Sequence, residues 1–158
     1  MALSGFASVP VVLRFPIALL AAVPALLVMD RVMASLPEGT SPPAVAAGVL
    51  TDTAIDDAPG RVAAVAHYLA GLGTGLLFVY LALLTETLLG GASVVSVALG
   101  ALALYALMVA FFLFVPLPRA PGVTDARRRA IGRDWAIAAA AYLAVLVPLV
   151  VALTLVAA

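Results

Sequence analysis

The chain has 158 residues, 66% of them hydrophobic and 10% charged, where a soluble domain has about 45–50% apolar and about 25% charged residues. Eight basic residues, all Arg, balance eight acidic ones, and Lys, Asn, Gln and Cys are absent. This excludes disulfides, thiolate metal sites, cysteine lipidation and N-glycosylation, and leaves no basic surface for nucleic acid. So much apolar surface cannot be hidden inside a globule of this size, which makes a bilayer the expected solvent.

Crossing about 30 Å of hydrocarbon takes about 20 apolar residues. Four segments meet that length, at about residues 9–29, 62–84, 94–115 and 135–156. All are unbroken apolar runs with no period of two, so they read as helices rather than barrel strands. The expected fold is all-α: a polytopic membrane four-helix bundle, one transmembrane domain spanning 1–158, with short interfacial helices in the longer loops.

The first run contains Arg14, about one and a half turns in and placed to snorkel to the boundary. Pro16 and Pro24 predict bends within it. A rival reading takes Arg14, the apolar stretch to Val28 and the small residues near Ala34 as a cleaved signal peptide, which would leave three helices. The charged pair Asp30-Arg31 and the apolar stretch before Arg14 oppose that reading. In the loop that follows, Ser41 before Pro42 predicts a helix cap with a first-turn proline. Residues 44–50 are too short to span and predict a short helix at the interface or against the bundle. Asp52, Asp56 and Asp57 lack the ligand spacing of an EF-hand and read as a solvated acidic stretch, with Asp57 capping the second helix and Pro59 in its first turn.

Gly90-Gly91 makes a tight turn between the second and third helices, and Pro116 and Pro118 end the third. In the next loop Thr124 predicts the cap of a short helix and Asp125 lies four residues before Arg129, a favourable pair. Arg127, Arg128, Arg129 and Arg133 are candidates for anionic lipid headgroups, or simply for fixing topology. The fourth helix carries Pro148. Seven Arg (31, 61, 119, 127, 128, 129 and 133) fall on the side of the two longer loops and one, Arg14, on the other. The positive-inside bias then predicts a multi-pass protein of the cell membrane with both termini outside and the longer loops cytoplasmic; Trp135, Phe111, Phe112 and Phe114 sit near that boundary as an aromatic belt.

Polar groups within spans are costly and therefore candidates for function. His67 lies six residues after Arg61, roughly 9 Å deep, on one stripe with Gly71 and Gly75, whose small-xxx-small spacing predicts close approach of another helix. The Ala-rich stretch from Ala136 to Ala144 is the expected partner of that face. Asp30 ends the first helix on the same side as His67. With Tyr68 and Tyr142 these two make a candidate intramembrane polar site, in which His67 either titrates or bonds a neighbour and holds helices together. Tyr105 and Tyr142 are expected to face the bundle and to meet each other or His67. Arg14 and Glu86 share the opposite side and are placed to pair. One His per chain argues against bis-His haem ligation, and Gly71, Gly73 and Gly75 lie mid-span, unlike a phosphate loop. No cofactor or metal is expected.

The run Met29-Asp30-Arg31-Val32-Met33, the Pro-rich loop and Val65-Ala66-His67-Tyr68-x-x-Gly71 resemble small YagU-like four-helix integral membrane proteins of halophilic archaea and bacteria. The resemblance implies a four-helix bundle and brings no activity with it. Without a nucleophile motif, metal cluster or nucleotide loop, the expected role is a non-enzymatic structural or accessory bundle, as a homo-oligomer or beside a partner membrane subunit. The alternative is an oligomeric transporter or channel for a small solute or proton.

Overall fold

The computed structural model describes residues 4–158. It is 84% helical, with no strand among the described residues. In chain order the elements are α1 (Ser4–Ser8), α2 (Val11–Ser35), α3 (Ser41–Thr51), a single 3-10 turn (Ile55–Asp57), α4 (Gly60–Leu88), α5 (Val94–Phe114), α6 (Pro116–Arg119) and α7 (Asp125–Val156). Four helices, α2, α4, α5 with its α6 extension, and α7, are long and apolar enough to cross a membrane.

These four form a ring in which α2 packs on α4 and α7, and α5 packs on α4 and α7; α2 with α7 is the most extensive contact. Small residues make it possible. Ala18, Ala21, Ala22 and Ala25 of α2 are fully buried, in one cluster with Ala138, Leu146 and Val150 of α7. Between helices in lipid there is little hydrophobic drive, so stability comes from close van der Waals contact, which small side chains permit. The Gly71–Gly75 face does receive another helix, but that helix is α2: a Cβ on Gly75 would lie 3.1 Å from the Ala18 carbonyl oxygen and 3.1 Å from Ala22 Cβ. The Ala-rich stretch of α7 is therefore not the main partner of the Gly face of α4; α2 packs on both, and Tyr142 of that stretch reaches across to bond Gly71. Outside the ring, large apolar side chains point away from the protein on every span, among them Val12, Leu20, Leu69, Leu102 and Leu153. Acyl chains are the solvent that suits such a surface.

Several helix ends differ from expectation. α2 runs on past Asp30 to Ser35, and α7 begins at Asp125, ten residues before the apolar run. Thr124 does cap, accepting from the Arg127 N–H, but the helix it starts is α7 itself and no separate short one. Asp57 is not the cap of α4: it lies in the 3-10 turn, and Pro59 takes the N-cap position with no side-chain bond. Ser41 is likewise inside α3 rather than capping it, because Thr40 is the N-cap and the Ser41 hydroxyl donates instead to Glu38. Asp125 pairs with Arg128, at 3.6 Å, rather than with Arg129. The Gly90-Gly91 turn closes with both residues at positive φ, 75° and 147°, where glycine alone is unstrained.

The prolines of the first long loop prepare α3 for its place. Pro42 and Pro43 occupy its first turn, where no N–H is needed. α3 folds back against α4, α6 and α7. Val45 and the turn residue Ile55 join Phe112, Leu117, Ala120 and Ile131 in a second buried cluster. The bundle thus has a closed tight-turn end and a long-loop end over which α3 is drawn.

Candidate functional site: a hydrogen-bonded cluster beside an apolar cavity

Asp30, late in α2, receives two donors from α4. His67 Nε2 lies 2.8 Å from Asp30 Oδ1, and the Tyr68 hydroxyl donates to Asp30 Oδ2 at 2.9 Å. Consecutive residues reach one carboxylate because its two oxygens accept separately, and the His67 and Tyr68 rings meet edge-on with centroids 5.1 Å apart. A carboxylate only accepts, so the pairing places the ring proton on Nε2. His67 is largely buried (9% of its side chain exposed) and Asp30 less so, at 31%.

Two recesses share His67 as a wall. The smaller, about 230 Å³, is lined by Asp30, Met33, Thr40, Pro43, Ala64 and Tyr68 as well as His67. The larger, about 340 Å³, is almost wholly apolar and lies at the long-loop half of the ring. Leu26 and Met29 come from α2, Pro42, Pro43 and Ala46 from α3, Ala66, Ala70 and Leu77 from α4, Leu107, Met108, Phe111 and Phe112 from α5, and Trp135 and Tyr142 from α7. Its volume is within the range of about 300–1,000 Å³ typical of small-molecule sites. α4 and α5 face each other across this space, whereas nearer their turn they touch, with the Gly100 Cβ direction only 3.2 Å from Ala82 backbone. Ala70, Leu107 and Phe111 on the rim are exposed, so the cavity has a flank open towards the surroundings of the bundle.

Tyr142 is fully buried and its hydroxyl donates to the Gly71 carbonyl at 2.6 Å. The Tyr105 hydroxyl donates to the Ala136 carbonyl at 3.3 Å. Neither tyrosine meets the other or bonds His67, contrary to expectation; each satisfies itself on a helix backbone, and Tyr142 reaches the site only as a wall of the cavity. Gly71 serves twice, by exposing the carbonyl that Tyr142 uses and by leaving room for Leu26, whose Cδ2 lies 2.3 Å from where a Cβ would stand.

A charged clasp, which the sequence reading missed, holds α3 and its flanking loops to α7. Asp134, fully buried, accepts the Glu38 backbone N–H on Oδ2 at 2.8 Å and the Arg133 guanidinium on Oδ1 at 2.8 to 2.9 Å. Arg127 donates to Glu38 at 3.0 Å and in bidentate fashion to Asp56 at 2.9 and 3.0 Å. Arg127 hydrogen bonds, first, and then its charge hold the Asp56 carboxyl below the ordinary carboxylate value. Of the four headgroup candidates, Arg127 and Arg133 are thus engaged inside the clasp, Arg128 pairs with Asp125, and Arg129 is exposed. The only local sign of Asp134 was a carboxylate directly before a long apolar run; its partner at Glu38 is 96 residues away.

At the opposite end Arg14 does not snorkel. It is buried, 4% exposed, and its Nη1 lies 2.9 and 3.0 Å from the two oxygens of Glu86. Nearby, Ser93 and Ser96 form a reciprocal capping box at the start of α5, and Thr85 donates to the Ser96 carbonyl at 2.7 Å. Comparison with protein-family profiles, curated proteins and solved structures gives no match, so the functional reading rests on geometry.

Proposed function

We propose that this chain is a non-enzymatic, multi-pass membrane protein whose working part is the cavity bounded by His67, Tyr142 and Trp135, where it holds a small apolar molecule. The observation that carries this reading is a cavity of about 340 Å³, apolar on nearly every side, open on its α4–α5 flank and closed at the loop end by α3. Apolar cavities of this kind take up hydrophobic guests, since water inside one finds few partners. His67 is bonded to Asp30, and among the described residues no Ser or Thr hydroxyl is hydrogen-bonded to it, so the pair has no nucleophile in hand to activate. The excess of Arg at the long-loop end supports a cytoplasmic placement of that end, with Arg128 and Arg129 at anionic headgroups.

The chain has a single Trp, and it lines the cavity, so its fluorescence reports occupancy directly. In nanodiscs, bromobenzene is expected to quench Trp135 with a saturable component that Ala66→Phe abolishes. Quenching that rises linearly with membrane concentration and is the same in both proteins would overturn the reading. A second reading, an oligomeric transporter or channel for a small solute or proton, draws support from the position of His67 between the two recesses. It predicts that His67→Ala lowers proteoliposome flux, and equal fluxes would remove it.

A further inference from the structure

The hydrogen bonds of the cavity wall point to the class of molecule it holds, an inference that rests on the cavity reading above. Four polar side chains line the space: His67, Thr74, Trp135 and Tyr142. Each spends its proton inside the protein. His67 Nε2 faces Asp30 at 2.8 Å, Thr74 donates to the Ala70 carbonyl at 2.7 Å, Trp135 Nε1 to the Met108 carbonyl at 3.3 Å, and Tyr142 to the Gly71 carbonyl at 2.6 Å. What these groups have left are lone pairs: those of the Tyr142 and Thr74 oxygens and, on a neutral imidazole, one on His67 Nδ1. The three prolines that complete the wall, Pro42, Pro43 and Pro116, carry no N–H. No Arg lines the space, and the carboxylate of Asp30 stands behind His67.

A wall that offers acceptors and no spare donor selects its guest. A carboxylate or phosphate would enter without a cation and close to Asp30, at a large desolvation cost. An ether or ketone would set its own lone pairs against those of the wall and leave both unsatisfied. A hydroxyl supplies the missing proton. We propose that the cavity binds a small neutral lipophilic alcohol, its hydroxyl donating its one proton to an acceptor of the wall, the Tyr142 oxygen or His67 Nδ1, and its apolar body lying along Leu77, Leu107 and Met108. Exposed Ala70, Leu107 and Phe111 on the rim make the bilayer its source.

Trp135 again supplies the readout, now with ω-bromohexanol, its methyl ether and ω-bromohexanoate added to the intact protein in nanodiscs. Membrane concentrations are matched by measured partitioning. The alcohol is expected to half-saturate quenching at a concentration about tenfold lower than the ether, as one hydrogen bond would give. The bromohexanoate is expected to show no saturable component. Tyr142→Phe, which keeps the volume of the side chain, is expected to cut the preference for the alcohol several-fold while leaving the ether curve in place. His67→Leu is expected to do the same, and a folded Tyr142→Phe protein keeps the test decisive if His67→Leu fails to fold. If alcohol and ether both saturate at equal concentrations, the ligand class is wrong and the cavity reading stands. If no bromo compound saturates, both fall.

Discussion

At the tight-turn end Arg14 meets Glu86 at 2.9 Å with 4% and 12% of the two side chains exposed; at the long-loop end Arg127 meets Asp56 at the same 2.9 Å with 32% and 74% exposed. The chemistry is alike and the surroundings are opposite. The first pair bridges α2 and α4 beside the glycine turn that joins α4 to α5, where Thr85, Ser93 and Ser96 are bonded to one another. The second belongs to a chain of contacts through Glu38, Asp134 and Arg133 that strap a separate helix over a cavity. The contrast teaches where function can sit. One end is closed around a buried ion pair, while the other keeps acceptors along the wall of a cavity, with water-facing charges outside it.

That contrast is broken most severely at the dry pair. Removing one partner of a buried ion pair leaves the other charge desolvated, at a cost of about 3–5 kcal/mol. Glu86→Leu is expected to lower the stability of the reconstituted protein by an amount of that order, and Glu86→Leu combined with Arg14→Leu by much less, since two apolar side chains suit the surroundings. Unfolding titrations of the single and double variants in mixed micelles measure the difference. Equal losses would mean that the pair is wet.

The clasp is expected to respond less, and in a different place. Asp134→Ala orphans the Glu38 N–H and one face of Arg133, which costs about 1–3 kcal/mol for a buried group left unsatisfied. The loss should appear as faster amide exchange in α3, with α2 and α7 protected as before. Uniformly faster exchange across all four spans would show that Asp134 holds the bundle and not the strap.

Much of this arrangement was legible in the sequence, and the physics explains which part. The spans follow from run length, and the His67–Asp30–Tyr68 cluster followed from two costly side chains at the same depth on consecutive spans. Asp30 could be placed because the first apolar run ends just before it, although α2 itself continues to Ser35, and His67 because Arg61 marks the boundary. Tyr142 was harder. Its partner depends on which neighbour α7 faces, and Ala-rich and Gly-rich faces both advertise close packing without naming the helix they pack on. α2 turned out to receive both. The clasp was not legible at all: Arg127 finds Glu38 and Asp56 at separations of 89 and 71 residues, and an Arg-rich stretch beside a span looks the same whether it binds lipid or protein.

Acidification gives the smallest effect and tests the wet end alone. The Asp56 carboxyl is held below its ordinary value of 3.8 by Arg127, so the unfolded or unclasped chain binds the proton more readily than the clasped one. The contribution of this contact is therefore full above the ordinary value and is lost as pH falls through the lowered one. Because Asp56 is largely exposed, water and salt screen the pair, and the change is expected to be slight and to shrink further at high ionic strength. Amide exchange in α3, corrected for the intrinsic pH dependence of the chemistry, should quicken between about pH 5 and about pH 3, and Asp56→Ala should flatten that part of the profile at its low-pH level. The Arg14–Glu86 end should show no such salt dependence in the same window. A profile that Asp56→Ala leaves unchanged would show that the Asp56–Arg127 contact does not carry the pH response.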